Sequence, residues 1–255
     1  MPEIRVGLLA YGAIGHEHNQ AVQATPGLTL TAVCDTNPER IDAARAKGSG
    51  QSVRLIAVTK THGPEAVLAA HAAGIQDVGE NKVQEAVGKQ DALQAAGTMP
   101  SGMRWHLIGH LQTNKVKQLD RFDLLHALDR GRLADEVSAQ GERSGRVIDV
   151  LVQVNVVGEE SKGGYAVSEL AAEAPRLRGL GGLRVRGVMT MAPFDADEAT
   201  LRTVFRGARE ARQRLRDAGL PAEELSMGMS GDYEIAVEEG ATLVRLGTVL
   251  FGARS

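Results

Sequence analysis

A lysine closes the apolar run VRLIAVTK, residues 53–60. Alternate side chains of an extended strand share a face, so Lys60 stands on the same side as Val58 and Ile56. Two readings are open for such a residue. It can reach past the strand end to solvent, or it can be a desolvated amine, kept neutral and nucleophilic and suited to condensing with a carbonyl. Two later runs carry what such chemistry would need. SMGMSGD (226–232) and LVRLGTVLFG (243–252) both bring Gly and Ser or Thr to the end of an apolar run. Backbone N–H groups and a hydroxyl placed there can hold a dianion. Arg245 lies inside the second run, where an unpaired charge would be costly. It is either half of a structural ion pair or the partner of a ring nitrogen in a bound cofactor.

These residues need a scaffold that brings strand ends together. Eight short apolar runs recur from residue 53 onward: 53–60, 74–81, 104–109, 122–129, 147–155, 183–191, 223–230 and 241–248. Between them lie Ala-, Leu-, Glu- and Arg-rich stretches such as TLRTVFRGAREARQRLRDAG, whose composition and spacing suit helices. Strands alternating with helices predict parallel βαβ units, and eight of them predict an α/β fold of the (β/α)8 TIM-barrel type over residues 46–255. Such barrels place their chemistry at the C-terminal strand ends and often hold a phosphate after strands seven and eight.

Composition narrows the function classes. The chain has 255 residues, 43% hydrophobic and 24% charged, within the ordinary range for a globular protein. A formal charge of −3 gives no footing for nucleic acid or an anionic membrane. No apolar run approaches the roughly 18–20 residues that span a bilayer. The single cysteine, Cys34, and the absence of a basic-then-apolar leader fit a cytoplasmic setting. His106 and His110 flank the third run without an acidic or cysteine partner at ligand spacing, so no metal site is expected. His16 and His18 are read as solvated, and Met189, Met191, Met227 and Met229 as barrel packing.

With these residues in view, the chain resembles the pyridoxal phosphate homeostasis proteins, barrels related to the N-terminal domain of alanine racemase. The resemblance spans about residues 40–255. It rests on AVTKTH, GENKVQEA, WHLIGHLQTNK, VNVVGEESKGG, RGVMTM, LSMGMSGDYEIAVEEGAT and VRLGTVLFGAR, in that order. It implies pyridoxal 5'-phosphate as cofactor, held by Lys60 as a Schiff base (the internal aldimine). Ser230, Gly247 and Thr248 would hold the phosphate, and Arg245 would face the pyridine nitrogen. Asn81 would sit beside the ring, and Lys162 would stand near the site mouth. Tyr165 departs from the aliphatic or Phe residue expected at its position.

The opening residues read differently. IRVGLLAYGAIG is a strand entering a Gly-rich turn, and LTLTAVCD is a second strand ending in Asp35. The Gly15-to-Asp35 spacing suits a phosphate loop followed by a ribose-binding acid. Residues 1–45 resemble the partial Rossmann-type start of the glucose–fructose oxidoreductase and inositol dehydrogenase family, with Ala10 where the first fingerprint glycine belongs and Gly12 and Gly15 in place. The fragment then runs straight into the barrel, so the chain reads as a fusion with an extra N-terminal βαβ segment. The strands that would wall the dinucleotide are missing. Calorimetric titration with NAD or NADP is therefore expected to give millimolar affinity or weaker, about −4 kcal/mol. Micromolar binding that Asp35→Ala weakens would contradict this.

The function expected is storage and supply of the cofactor rather than catalysis. The chain ends soon after the eighth run, leaving no domain to bring the second acid–base group of a racemase. An arginine at the pyridine nitrogen also weakens the electron sink. The alternatives are a weak amino-acid racemase and an NAD-dependent oxidoreductase using the N-terminal segment. The expected partners are the cofactor and the apoenzymes that take it, and the expected state is a monomer.

Overall fold

The computed structural model describes residues 4–9, 28–34, 50–159 and 162–252. β1 (Ile4–Leu9) and β2 (Leu28–Cys34) pair in parallel as a two-stranded sheet of their own. Both strands stand where the opening residues predict them. Ala10, Gly12, Gly15, His16, His18 and Asp35 lie outside the described residues.

Eight further strands follow: β3 (Arg54–Val58), β4 (Asp77–Glu80), β5 (Arg104–Leu107), β6 (Leu124–Leu128), β7 (Ile148–Gln153), β8 (Leu183–Met189), β9 (Glu224–Ser226) and β10 (Leu243–Leu246). All pair in parallel, each with its neighbour in sequence, and β10 returns to β3 to close the barrel. The connections carry α1 (Pro64–Ala72), α2 (Val83–Ala95), α3 (Gly131–Ser144), α4 (Leu170–Arg178), α5 (Glu198–Asp217) and α6 (Tyr233–Glu238). A 3-10 helix, Thr113–Arg121, takes the place of an α-helix after β5, and the short α7 (Thr248–Phe251) follows β10. The eight predicted apolar runs are thus the eight barrel strands.

The helices cover the barrel with apolar stripes. In α5 the buried residues are Leu201, Val204, Phe205, Ala208, Ala211 and Leu215, one face at helical spacing. Asp197 caps this helix, accepting the Thr200 N–H at 2.8 Å. Each fully buried Leu or Phe contributes roughly 1.5–3 kcal/mol, so the stripes alone orient the helices.

Register fixes which residues line the lumen. Arg245 pairs with Ile56 and Ile56 with Asp77, and partners in register share a face. A Cβ on Gly79 would lie 2.9 Å from Ile56 Cγ2 and 3.3 Å from Ile108 Cδ1, which puts Ile56, Gly79 and Ile108 on that same inner face. Ile56 and Val58 therefore point inward, the face that alternation assigns to Lys60 two residues later. β3 itself stops at Val58, and Lys60 lies in the turn that follows. Met189 and Met227 are buried as packing residues and Met191 packs partly against the core. Met229 departs from its expected role: it lies past the end of β9 and is 38% exposed.

Candidate functional site

The C-terminal strand ends bring Ser230 and Gly247 together and set the turn that carries Lys60 close by. Gly247 lies against Val58, where a Cβ would sit 3.5 Å from both Val58 Cβ and Val58 O. The His62 and Phe251 rings meet at a tilt of 41° with centroids 5.2 Å apart, so the turn that carries Lys60 lies against α7. At the start of α7, the Gly247 and Val249 N–H groups point at the Ser230 hydroxyl oxygen, at 3.3 and 3.4 Å. Two strand-end loops therefore meet around one set of donors, the geometry that an anion requires.

Backbone shape at β9 makes this meeting possible. Gly228 has φ +93°, and a Cβ there would lie 2.7 Å from Ala236 Cβ in α6. Its carbonyl accepts the Arg245 N–H at 3.0 Å. Asp232 Oδ1 accepts the Met229 N–H at 2.5 Å and closes the loop that presents Ser230. Burial pushes the Asp232 carboxyl up, and this hydrogen bond opposes the shift.

Below the loops, Arg245 is 4% exposed inside the barrel. Its Nη1 donates to Ser226 Oγ at 2.6 Å and its Nη2 to the Thr190 carbonyl at 2.9 Å. Burial lowers the guanidinium to about 10, with Asp232 opposing, so it is a cation at neutral pH. Among the described residues no carboxylate pairs directly with it, and the charge of Asp232 acts on it without contact. Two named hydrogen bonds engage two of its five N–H groups, and the rest can meet an acceptor in the site.

The Lys60 turn is held from outside the wall. Thr61 has φ +68°, rare for a β-branched residue. Its N–H donates to Glu85 Oε1 at 2.5 Å. The buried Lys89 donates to the Thr59 carbonyl at 2.7 Å, to Glu80 Oε1 at 2.6 Å and to Glu85 Oε1 at 3.3 Å. Thr59 Oγ1 donates to the same Glu80 oxygen at 2.5 Å. Burial raises the Glu80 carboxyl, and hydrogen bonds from Lys89 and Thr59 oppose that. Both neighbours of Lys60 are thus pinned by side chains of β4 and α2, which offsets the strain of the turn.

Asn81 follows β4 directly, and its carbonyl passes close to Gly109, where a Cβ would lie 2.3 Å from Asn81 O. Only glycine leaves room for that approach. Gly109→Ala is expected to lose about 1–3 kcal/mol of stability by overpacking and to weaken binding in the site by displacing Asn81. Thermal melts and ligand titration check this; unchanged values in both would contradict it.

Lys162 belongs to the loop after β7 and reaches the loop after β8, donating to the Ala192 carbonyl at 2.8 Å and pairing with Glu159 at 2.8 Å. Tyr165 is a structural residue: its hydroxyl donates to Glu173 at 2.8 Å, and burial pushes the phenol well up.

The histidines gain partners that local spacing does not show. The sequence showed no acidic partner at local spacing, yet the fold supplies one to each. His106 Nε2 lies 2.8 Å from Asp77 Oδ1, and His110 Nδ1 lies 2.7 Å from Asp129 Oδ2. Among the described residues no group of three His, Cys, Asp or Glu is placed to hold a metal ion. Sequence reasoning missed Asp77, His126, Ser226 and Thr190. For His126 the signal was present, a polar residue inside the apolar run FDLLHALD.

Known proteins share this architecture. Residues 37–255 match the profile of the family "Alanine racemase, N-terminal domain". The pyridoxal phosphate homeostasis protein of Aquifex aeolicus (strain VF5) is 42% identical over 220 residues, covering 85% of this chain and 94% of that protein. The protein of the same name from Pseudomonas aeruginosa is 43% identical over 215 residues, 84% of this chain and 90% of its own length. The solved structure of PipY from Synechococcus elongatus PCC7942 with PLP bound is 37% identical with a TM-score of 0.73, covering 83% of this chain and 97% of that one. Alanine racemase from Corynebacterium glutamicum shares the fold, at a TM-score of 0.63 over 83% of this chain and 60% of the racemase, with 16% identity.

Proposed function

This chain belongs to the family of the alanine racemase N-terminal domain and, within it, to the pyridoxal phosphate homeostasis proteins, and we propose how its residues hold the cofactor. It binds pyridoxal 5'-phosphate and acts in the homeostasis of that cofactor. When bound, the cofactor supplies an aldehyde that condenses with an amine and a ring that draws electrons from the attached carbon. The donor set fits such a group: hydroxyls and backbone N–H groups at the end of two strands, a cation beneath them and a lysine alongside.

Lys60 is the covalent attachment point. The Glu80–Lys89–Glu85 cluster behind the wall fixes its turn and so its direction into the barrel. Ser230, Gly247 and Thr248 hold the phosphate at the start of α7. Arg245, as a cation that can only donate, keeps the ring nitrogen unprotonated. Asn81 lies beside the ring, and Lys162 closes the mouth between two loops. The observation that carries this reading is the convergence of the Lys60 turn, the Ser230 loop and Arg245 on one end of the lumen.

The site is one for holding rather than turning over. An unprotonated ring nitrogen is a poor electron sink, and the Tyr165 hydroxyl, a group that could move a proton, is committed to Glu173. The chain then acts as a cytoplasmic monomer that stores the cofactor and passes it to apoenzymes. Among the described residues no helix is long and apolar enough to cross a membrane. Residues 1–45 are an accessory segment, supported by the separate β1–β2 sheet. Absorbance titration with pyridoxal phosphate tests the site as a whole. Binding is expected to be saturable and weakened by inorganic phosphate, with no racemisation of added L-alanine. Rapid formation of D-alanine would favour the racemase reading instead.

A further inference from the structure

Polar side chains continue through the lumen from Arg245 to Asp77, the first residue of β4. Ser226 Oγ, which accepts from Arg245, lies 2.9 Å from His126 Nδ1. His126 Nε2 lies 2.9 Å from His106 Nδ1, and His106 Nε2 lies 2.8 Å from Asp77 Oδ1. Asp77 in turn takes a two-pronged hydrogen bond from Arg104, at 2.8 and 2.5 Å, with Arg54 3.8 Å away. His106, His126 and Ser226 are each no more than 2% exposed.

The two ends dictate the direction of the outer links. A guanidinium has no acceptor, so Arg245 donates to Ser226 Oγ. Ser226 Oγ keeps a second lone pair as well as its own proton for His126 Nδ1, so that link can run either way. His106 carries a proton on Nε2 and donates to Asp77, and the link between His106 Nδ1 and His126 Nε2 follows the tautomers. An ionised carboxylate only accepts, which closes the chain. Hydrogen bonds from Arg104 and His106 hold Asp77 well below the usual carboxylate range, outweighing burial. Burial, then the charges of His106, Arg245 and Arg54, keep His126 neutral. Arg245, Ser226, His126, His106 and Asp77 thus form one continuous hydrogen-bonded chain between a buried cation and a buried anion.

We propose that Ser226, His126, His106 and Asp77 are positioning residues that fix the orientation of Arg245 toward the cofactor ring, so that the protonation of the ring nitrogen is set in part from the opposite end of the barrel. The inference rests on the reading that Arg245 faces that nitrogen. The hydroxyl of Ser226, held by His126, locks one guanidinium arm, and the Thr190 carbonyl locks the other. If the chain is cut, the guanidinium is held from one side only.

The test uses the full chain loaded with pyridoxal phosphate labelled with 15N in the ring, read by NMR at one pH. Ser226→Ala removes the link at Arg245 with little change in volume. Asp77→Asn keeps the shape at the far end and removes its charge. Both are expected to move the ring 15N resonance toward the protonated position and to weaken cofactor binding about tenfold or more, the scale of one lost charge-assisted hydrogen bond. Borohydride-fixed cofactor on Lys60 stays as in the unaltered protein. Ser226→Ala alone serves if Asp77→Asn does not fold, because removal of one hydroxyl leaves the packing intact. A folded Ser226→Ala protein with an unmoved resonance and unchanged affinity would overturn the relay. Arg245→Gln separates the two levels. If that variant moves the resonance and Ser226→Ala does not, the relay fails and the site reading stands. If Arg245→Gln also leaves it unmoved, Arg245 does not face the ring, and both fail together.

Discussion

The Lys60→Ala protein is expected to be colourless, with no visible band after incubation with pyridoxal phosphate and no cofactor fixed by borohydride. Its affinity should fall to what the phosphate contacts alone supply. The expectation follows from the turn: Lys60 lies just past the end of β3, and His62 of the same turn lies against Phe251 of α7. Thr59 and Thr61 on either side are held by Glu80, Lys89 and Glu85. Alanine keeps those contacts, so the fold should survive and thermal melts should move by little. Phosphate binding should survive too, because Ser230, Gly247 and Thr248 lie on other loops. A folded Lys60→Ala protein that still shows the visible band would place the attachment elsewhere.

Arg245→Glu is expected to have the second-largest effect, and on two properties at once. A carboxylate accepts where a guanidinium donates, so the ring nitrogen should gain a proton and the electron sink should strengthen. Slow transamination should then appear, read as pyruvate formed from added L-alanine. The structure also predicts a loss of stability. Glutamate at this buried position would face the Thr190 carbonyl, now an acceptor without its donor, and would strand the Ser226 hydroxyl oxygen. Each such unsatisfied group costs about 1–3 kcal/mol. Thermal melts should fall accordingly, and Arg245→Gln, whose amide can still donate, should fall less and gain less of the new reactivity. A loaded Arg245→Glu protein with an unaltered spectrum and no pyruvate would show that Arg245 does not touch the ring.

Much of this site is legible in one dimension because a parallel barrel gathers strand ends. Lys60, Ser230, Gly247 and Thr248 each follow an apolar run, and closure of β10 onto β3 brings the first run against the last. Arg245 stood out as a charge inside such a run. His106 and His126 carried the same signal, but a lone polar residue does not disclose its partner. Asp77 lies 29 positions before His106 and Ser226 lies 100 after His126, and only the register of the closed sheet joins them. The positive φ of Thr61 was hidden too, since a β-branched residue ordinarily argues for extended backbone. The overlong reading of the first strand, to Lys60 rather than Val58, has the same origin: the turn is imposed by Glu85 and Lys89 on a neighbouring helix, not by its own residues.

The central claim is that this chain holds pyridoxal phosphate on Lys60 with its ring over Arg245. The most direct measurement is borohydride reduction of the loaded, unaltered protein, followed by digestion and peptide mapping by mass spectrometry. The account predicts a single pyridoxyl-phosphate adduct, on the peptide that contains Lys60 and at that lysine. An adduct on Lys162 or Lys89 with Lys60 unmodified, or no fixed adduct from a protein that binds the cofactor, would contradict it.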